Sequence, residues 1–106
     1  MAQAVLSIEG LPESGLDASA AFHAEHMARA REALEKVETT SLVIVLPAAG
    51  PDHDDWRRTL ARDLARAYPT VRVNVVGGDD QDAVAEILAY LRDAPGVTGQ
   101  YCAAHE

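Results

Sequence analysis

The stretch that decides the fold is WRRTLARDLARAYPTVRVNVVGG, residues 56–78. Its first part predicts an amphipathic helix, because apolar side chains recur at every fourth residue on one face. These apolar positions are Trp56, Leu60, Leu64 and Tyr68. The opposite face is polar and holds Arg57, Arg58, Arg62, Asp63 and Arg66. We therefore expect the helix to pack on its apolar face and to expose its arginines.

The second part of this stretch predicts a buried strand. Pro69 ends the helix, because proline lacks a backbone N–H and cannot continue the hydrogen-bond ladder. After it, Val71, Val73 and Val75 alternate with polar residues in the period-two pattern of a strand, and Gly77 begins a Gly-Gly bend. A helix that leads into a β-branched strand is half of a βαβ unit, which indicates an α/β fold.

The rest of the chain continues this alternation of strands and helices. We predict further strands at residues 4–9, 42–46 and 100–104, and further helices at residues 17–38 and 79–94. Asp17 and Asp52 are the expected N-caps of the first two helices. The order βαβαβαβ predicts one Rossmann-like domain over residues 1–106, with three helices on a four-stranded parallel sheet in the order 1-2-3-4. Right-handed crossovers place the first two helices on one face of this sheet.

Charge and cysteine content argue against several kinds of partner and location. The net charge of −8 and the pI near 4.8 create a field that repels phosphates, which argues against nucleic acid and anionic membranes. We find neither an apolar segment long enough to span a bilayer nor a signal peptide. Cys102 is the only cysteine, so an internal disulfide is excluded and a reducing, cytoplasmic location is favoured.

Several motifs resemble the short-chain dehydrogenase/reductase family. Residues 59–64 (TLARDL) and 71–76 (VRVNVV) resemble that family's long helix and its IRVN strand. Residues 97–100 (VTGQ) resemble the opening of its last strand, and residues 42–50 (LVIVLPAAG) resemble its IVNISSAAG strand. Residues 6–10 (LSIEG) stand where VNNAG is expected. The resemblance covers only the C-terminal half of the family's fold, and it implies that the third helix lies on the other face of the sheet.

The resemblance also implies that the family's functional residues are missing. No G-x-G-x-x-G turn, which would bind the dinucleotide pyrophosphate, occurs in this sequence. Pro47 aligns with the catalytic serine, and the interval from Gly50 to Leu60 holds neither the tyrosine nor the lysine of Tyr-x-x-x-Lys. The substrate loop after the bend is cut to residues 78–80. We therefore predict a protein that is not an enzyme and that binds no cofactor.

Clusters of metal-ligating residue types receive a structural interpretation. His23, Glu25 and His26 lie close together on one helix, but His23 belongs to the packing stripe and no third ligand is evident. Residues 52–55 (DHDD) are interpreted as acids that stabilise a helix N-terminus. Cys102, near His105, is interpreted as a buried strand cysteine rather than a nucleophile. We predict no metal site.

Two functions of different class fit these residues. The first is a non-catalytic, dehydrogenase-like interaction module that associates with itself or with another protein, such as a full-length dehydrogenase. The second is a small-ligand-binding protein, or an enzyme of unrelated chemistry, that uses the crevice at the carboxyl ends of the strands near Glu9, Pro47, Gly50 and Gly77. We favour the first, because mainly acids and small residues line the predicted crevice and a fold does not by itself imply a function.

We expect a homodimer or a higher oligomer, with three candidate surfaces. The resemblance implies that the strand at residues 4–8 lacks a neighbour, and unprotected strand edges tend to be paired or covered. In similar enzymes the first two helices of this segment form a four-helix bundle with a partner, and the third helix and last strand form a second contact. The first helix carries Phe22 and Met27 on different faces, which is more apolar surface than one sheet face covers. The candidate interface residues are Phe22, Met27, Trp56, Leu60, Val5 and Tyr101, and the bundle is favoured because it buries the most apolar area.

Overall fold

The computed structural model describes residues 2–104, which form one parallel sheet with helices on both faces. The strands are β1 (Ala2–Ser7), β2 (Thr39–Leu46), β3 (Arg72–Gly77) and β4 (Tyr101–Ala103). The helices are α1 (Gly15–Glu25), α2 (Met27–Leu34), α3 (Asp54–Ala67) and α4 (Gln81–Arg92), and a short 3₁₀ helix, Pro51–His53, precedes α3. β1 therefore begins and ends two residues before the strand predicted at residues 4–9.

The topology of the sheet confirms the predicted fold class. The strand order is β1-β2-β3-β4, and all neighbouring strands are parallel. Leu42 and Ile44 of β2 face the core formed with α1, α2 and α3, whereas Val43 faces α4. Because β2 is covered on both faces, it is continuously apolar rather than alternating. The sequence predicted that the helices of the first two connections lie on one face of the sheet and the last helix on the other. This prediction is also confirmed.

The prediction of one helix over residues 17–38 is wrong, so residues 2–104 contain four α-helices instead of three. The helical backbone is interrupted at His26, whose φ is −122°. The interruption allows α1 to pack against the 3₁₀ helix and α3 while α2 packs against β2. Because α2 ends at Leu34, Val37 lies outside the buried stripe and is 99% exposed. None of the helices within residues 2–104 combines the length and hydrophobicity needed to cross a membrane.

Both predicted helix caps are also wrong. Ser14 is the N-cap of α1, because its Oγ accepts a hydrogen bond from the backbone N–H of Asp17 at 3.1 Å. The Asp52 carboxylate accepts from the backbone N–H of Gly15 at 2.9 Å and does not cap its own helix. Asp52 does bond to a helix N-terminus, but to that of α1 and not to that of its own helix. The tertiary fold determines this, because it places the beginning of α1 against the 3₁₀ helix.

Asn74, buried on β3, positions the segment that leads into β4. Its Nδ2 donates to the carbonyl oxygen of Val97 at 3.0 Å, and its Oδ1 accepts from the backbone N–H of Gln100 at 3.1 Å. Thr98 adds a third contact, since its Oγ1 accepts from the backbone N–H of Val73 at 3.0 Å. The VRVN and VTGQ motifs are therefore bonded directly to each other, and this contact fixes where β4 joins the sheet.

Candidate functional site

Arg57 lies on the buried side of α3, which contradicts its predicted place on the exposed face. Only 1% of the residue is exposed. Its Nη2 donates to the carbonyl oxygen of Pro47 at 2.9 Å, and its Nη1 donates to the hydroxyl of Tyr101 at 3.2 Å. The buried residues of α3 are Arg57, Leu60, Ala61 and Leu64. Their i, i+3, i+4, i+7 spacing defines the true buried face, and Trp56 lies at its edge.

The groups that accept hydrogen bonds from the Arg57 guanidinium or stack on it are neutral. Its central carbon lies 5.6 Å from the ring centroid of Trp56 and 5.7 Å from that of Tyr101. Its Nε has no hydrogen-bond partner among residues 2–104, and none of the salt bridges in that range includes Arg57. Arg57 is therefore a buried cation without a counter-ion in the described chain, an arrangement that costs stability unless an anion joins it.

His53 is a second buried polar side chain beside Arg57. Its Nδ1 lies 3.2 Å from Nε1 of Trp56, and its Nε2 lies 2.8 Å from the carbonyl oxygen of Glu13. Because the indole N–H can only donate, Nδ1 accepts, and Nε2 carries the hydrogen that is donated to Glu13. His53 thus joins the loop after β1 to the start of α3. The sequence interpretation of residues 52–55 as acids that stabilise a helix N-terminus did not identify this role of His53.

Arg57 and His53 line a small cleft at the carboxyl ends of β1 and β2. The cleft has a volume of about 190 Å³. Its lining consists of Glu9, Gly10, Leu11, Pro12, Glu13, Pro47, Ala48, Ala49, His53 and Arg57. It includes two of the residues predicted to line the crevice, Glu9 and Pro47. Gly50 is not in the lining, and Gly77 lies against the guanidinium of Arg57.

A larger groove, of about 620 Å³, separates α1 and α2 from α3; we call it the helical groove. It is lined by Ser19, His23, Met27, Arg31, Asp55, Trp56, Thr59, Leu60, Asp63, Leu64 and Ala67. Met27, Trp56, Leu60 and Leu64 belong to the hydrophobic core cluster or pack against it, so the floor of the groove is apolar. The α1–α2 wall carries His23 and Arg31, whereas the α3 wall carries Asp55 and Asp63.

The predicted helical interface residues divide between the core and the helical groove. Phe22 is fully buried, and its ring centroid lies 6.0 Å from that of Trp56. Phe22 therefore stabilises the fold from inside, and the expectation that it adds apolar surface beyond what the chain covers is wrong. Leu60 is also buried, at 2% exposure, at the bottom of the groove. Met27 and Trp56 are half-buried in the groove lining.

The predicted strand contacts lie elsewhere in the sheet. Val5 on β1 is 46% exposed, and within residues 2–104 the only strand paired with β1 is β2. The outer edge of β1 therefore has no strand partner in the described chain. Tyr101 on β4 is half-buried, and its hydroxyl is bonded to Arg57. Tyr101 is therefore joined to the buried Arg57, although it is not among the residues that line the cleft.

The residues considered as metal ligands or nucleophiles do not converge. Within residues 2–104, no group of three or more His, Cys, Asp or Glu side chains is placed to hold a metal ion. Nδ1 of His23 lies 2.8 Å from the carbonyl oxygen of Ser19 in its own helix. Burial raises the pKa of the Cys102 thiol above its ordinary value of 9.0, which keeps it protonated and weakly nucleophilic near neutral pH. His105 lies outside the described residues.

The four parallel strands with helices on both faces define a Rossmann-like α/β domain. The model of the family described as short chain dehydrogenase-like protein matches residues 6–104, so the chain belongs to that family. Neither a curated protein nor a solved structure matches the chain. The matched range includes the VRVN and VTGQ motifs that Asn74 joins.

Proposed function

We propose that this chain is a non-catalytic short chain dehydrogenase-like domain that forms a two-fold homodimer through the helical groove. The observation that carries the proposal is the composition of the groove, which has an apolar floor between walls of opposite charge. Met27 and Trp56 remain half-buried in the single chain, so a second copy that covers them removes further apolar area from water. A closed two-fold contact is the commonest arrangement for such a self-complementary surface.

The strand ends support the non-catalytic part of the proposal. Pro47 has no side-chain hydroxyl, and its carbonyl oxygen is already bonded to Arg57. Burial raises the pKa of the half-buried Cys102 thiol, which disfavours its nucleophilic thiolate form. We expect no change in melting temperature or in nicotinamide fluorescence when NADH is titrated into the protein. Saturable NADH binding at micromolar concentration would contradict this part of the proposal.

The direction of the helices determines which charges meet in the dimer. Gly15, at the beginning of α1, is bonded to Asp52, just before α3 begins. Arg31, on α2, donates to the hydroxyl of Tyr68, just after α3 ends, at 3.1 Å. The two walls therefore run in the same direction. In a face-to-face dimer the two-fold axis lies in the contact plane, and an axis that runs along the groove exchanges the walls but keeps the ends. Arg31 of each copy therefore faces Asp63, in the second half of α3, of the other.

Light scattering after size exclusion tests the dimer, and charge reversal tests this contact. Arg31→Glu and Asp63→Arg each place like charges opposite each other at both symmetry-related contacts. We expect each variant alone to dissociate at concentrations at which the unaltered protein is dimeric. An equimolar mixture of the two variants should dimerise again, because every contact in the mixed dimer joins opposite charges.

Glu86→Arg is the matched control for the charge reversal, because Glu86 is exposed on α4 and lies outside the helical groove. This variant should remain dimeric. A monomeric unaltered protein would remove the proposal. A dimer that neither charge reversal weakens, or a mixture that associates no better than its components, would move the contact away from the groove.

A further inference from the structure

We propose that the cleft beside Arg57 binds a small carboxylate anion. A guanidinium carries five N–H donors. Among residues 2–104, its hydrogen-bond partners are the Pro47 carbonyl and the Tyr101 hydroxyl, and its Nε–H has no acceptor. A buried donor without an acceptor and a buried cation without a counter-ion are both unfavourable. A carboxylate at the base of the cleft, beside the guanidinium, supplies the missing negative charge.

The position and size of the cleft fit such a ligand. It lies at the carboxyl ends of parallel strands, which is where open α/β sheets bind their ligands. Its volume is about 190 Å³, and a liquid water molecule occupies about 30 Å³, so the cleft accommodates a molecule of only a few heavy atoms. Both ring nitrogens of neighbouring His53 are already hydrogen-bonded, so we assign the binding of the anion to Arg57.

The surrounding charges favour a singly charged carboxylate over phosphate. The planar fork of arginine matches the two oxygens of a carboxylate. Glu9 and Glu13 also line the cleft, and their carboxylates repel any anion that enters. A second negative charge on the ligand doubles both this repulsion and the attraction to Arg57. Because two carboxylates and one guanidinium line the cleft, the repulsion increases by more than the attraction at equal distances. Acetate is therefore the simplest probe of the site.

Trp56 provides a direct optical signal for binding. It is the only tryptophan of the chain, and the central carbon of the Arg57 guanidinium lies 5.6 Å from its ring centroid. An anion that binds Arg57 changes the electric field at the indole ring. Acetate titrated at constant ionic strength, with sodium chloride as the balancing salt, should therefore produce a saturable change in tryptophan fluorescence. Line broadening of the acetate NMR signal measures the same event without relying on Trp56.

Three variants assign the binding to Arg57. Arg57→Met should abolish the saturable change, because it removes both the charge and the donors. Arg57→Lys keeps a charge but lacks the planar fork, and it should weaken binding about tenfold, the loss of roughly one charge-assisted hydrogen bond. Arg58→Met is the matched control, since Arg58 is exposed on the same helix and paired with Asp55, and binding should be unchanged. Circular dichroism establishes that each variant is folded.

Removing the negative charges that line the cleft should strengthen acetate binding, whereas the Arg57 variants weaken it. Glu9→Gln combined with Glu13→Gln should tighten acetate binding about threefold, because two repulsive charges are removed and the effect is reduced by salt. Weaker binding in this variant would overturn the proposal, as would binding that survives in Arg57→Met or a change that does not saturate. Tighter binding of phosphate than of acetate would overturn the assignment to a carboxylate. Repeating the acetate titration with Arg31→Glu, which is expected to be monomeric, tests whether acetate binding requires the dimer.

Discussion

Gly77 leaves the space that the guanidinium of Arg57 occupies. A Cβ placed on Gly77 would lie 2.6 Å from Nη1 of Arg57 and 2.6 Å from the hydroxyl oxygen of Tyr101. Favourable contacts between non-bonded heavy atoms lie at about 3.5–4.0 Å, so a side chain at this position displaces both groups. Gly77 is not among the glycines with positive φ, so the requirement for glycine is one of space rather than of backbone conformation.

Gly77→Ala should destabilise the protein by displacing the Arg57–Tyr101 pair. We expect the free energy of unfolding to fall by about 1–3 kcal/mol, the usual cost of overpacking a buried site. Urea unfolding followed by tryptophan fluorescence measures the change. Gly96→Ala is the control, because no atom lies within 4 Å of the Cβ it would carry. Equal stability of the two variants would show that the pair moves aside without cost.

Arg57→Met should leave the free energy of unfolding unchanged or raise it by about 1–2 kcal/mol. The substitution removes a buried charge that has no counter-ion among residues 2–104 and fills most of the same volume. Arg57→Ala should instead lower it by about 2–4 kcal/mol, because it leaves a cavity beside the rings of Trp56 and Tyr101. Chemical denaturation compares the two. An equal loss in both variants would mean that the hydrogen bonds and ring contacts outweigh the cost of burying the charge.

The sequence was sufficient for the order and direction of the strands. The continuous apolar run of β2 and the alternating valines of β3 predicted the positions of these strands. β3 is nevertheless buried on both faces, since Asn74 is itself buried. The break at His26 was not predicted, since the apolar spacing continues through it. That break depends on α1 and α2 having different packing partners, which local sequence does not encode.

The sequence predicted the position of the cleft but not the buried side chain that gives it its chemistry. Glu9 and Pro47 were expected to meet because the carboxyl ends of parallel strands lie at one edge of the sheet. Arg57 was assigned to solvent because arginine is rarely buried. The signal that could have located it is the stripe of Arg57, Leu60, Ala61 and Leu64. The hydrogen-bond partners of Arg57, Pro47 and Tyr101, lie 10 and 44 residues away from it along the chain, so only the folded sheet brings them together.

Asn74→Asp should disconnect the segment before β4. A carboxylate retains the acceptor for Gln100 but cannot donate to the carbonyl oxygen of Val97, and it buries a charge. We expect the free energy of unfolding to fall by about 2–4 kcal/mol, since a lost buried hydrogen bond is combined with the desolvation of an ion. Gln100→Glu makes the same amide-to-acid change on an exposed residue and should cost less than about 0.5 kcal/mol. Similar losses in both variants would indicate a general charge effect rather than the contacts of Asn74.

The thiol of Cys102 should titrate at higher pH in the folded chain than in the unfolded chain, because burial against the α4 face of the sheet raises its pKa above 9.0. The pH profile of iodoacetamide alkylation should therefore have its midpoint above 9.0 in the native protein and near 9.0 in urea.

The same shift makes a prediction about stability. At a pH between the pKa of the Cys102 thiol in the unfolded chain and its pKa in the folded chain, the native state holds the proton more tightly than the unfolded state does. The contribution of the protonated thiol is therefore fully present below pH 9.0 and is lost as the pH rises through the higher folded value. Cys102→Ala should remove this part of the alkaline decline, as measured by urea unfolding at several pH values. Coincident alkylation profiles in native and unfolded protein would mean that solvent reaches the sulfur freely and that burial does not hold the proton.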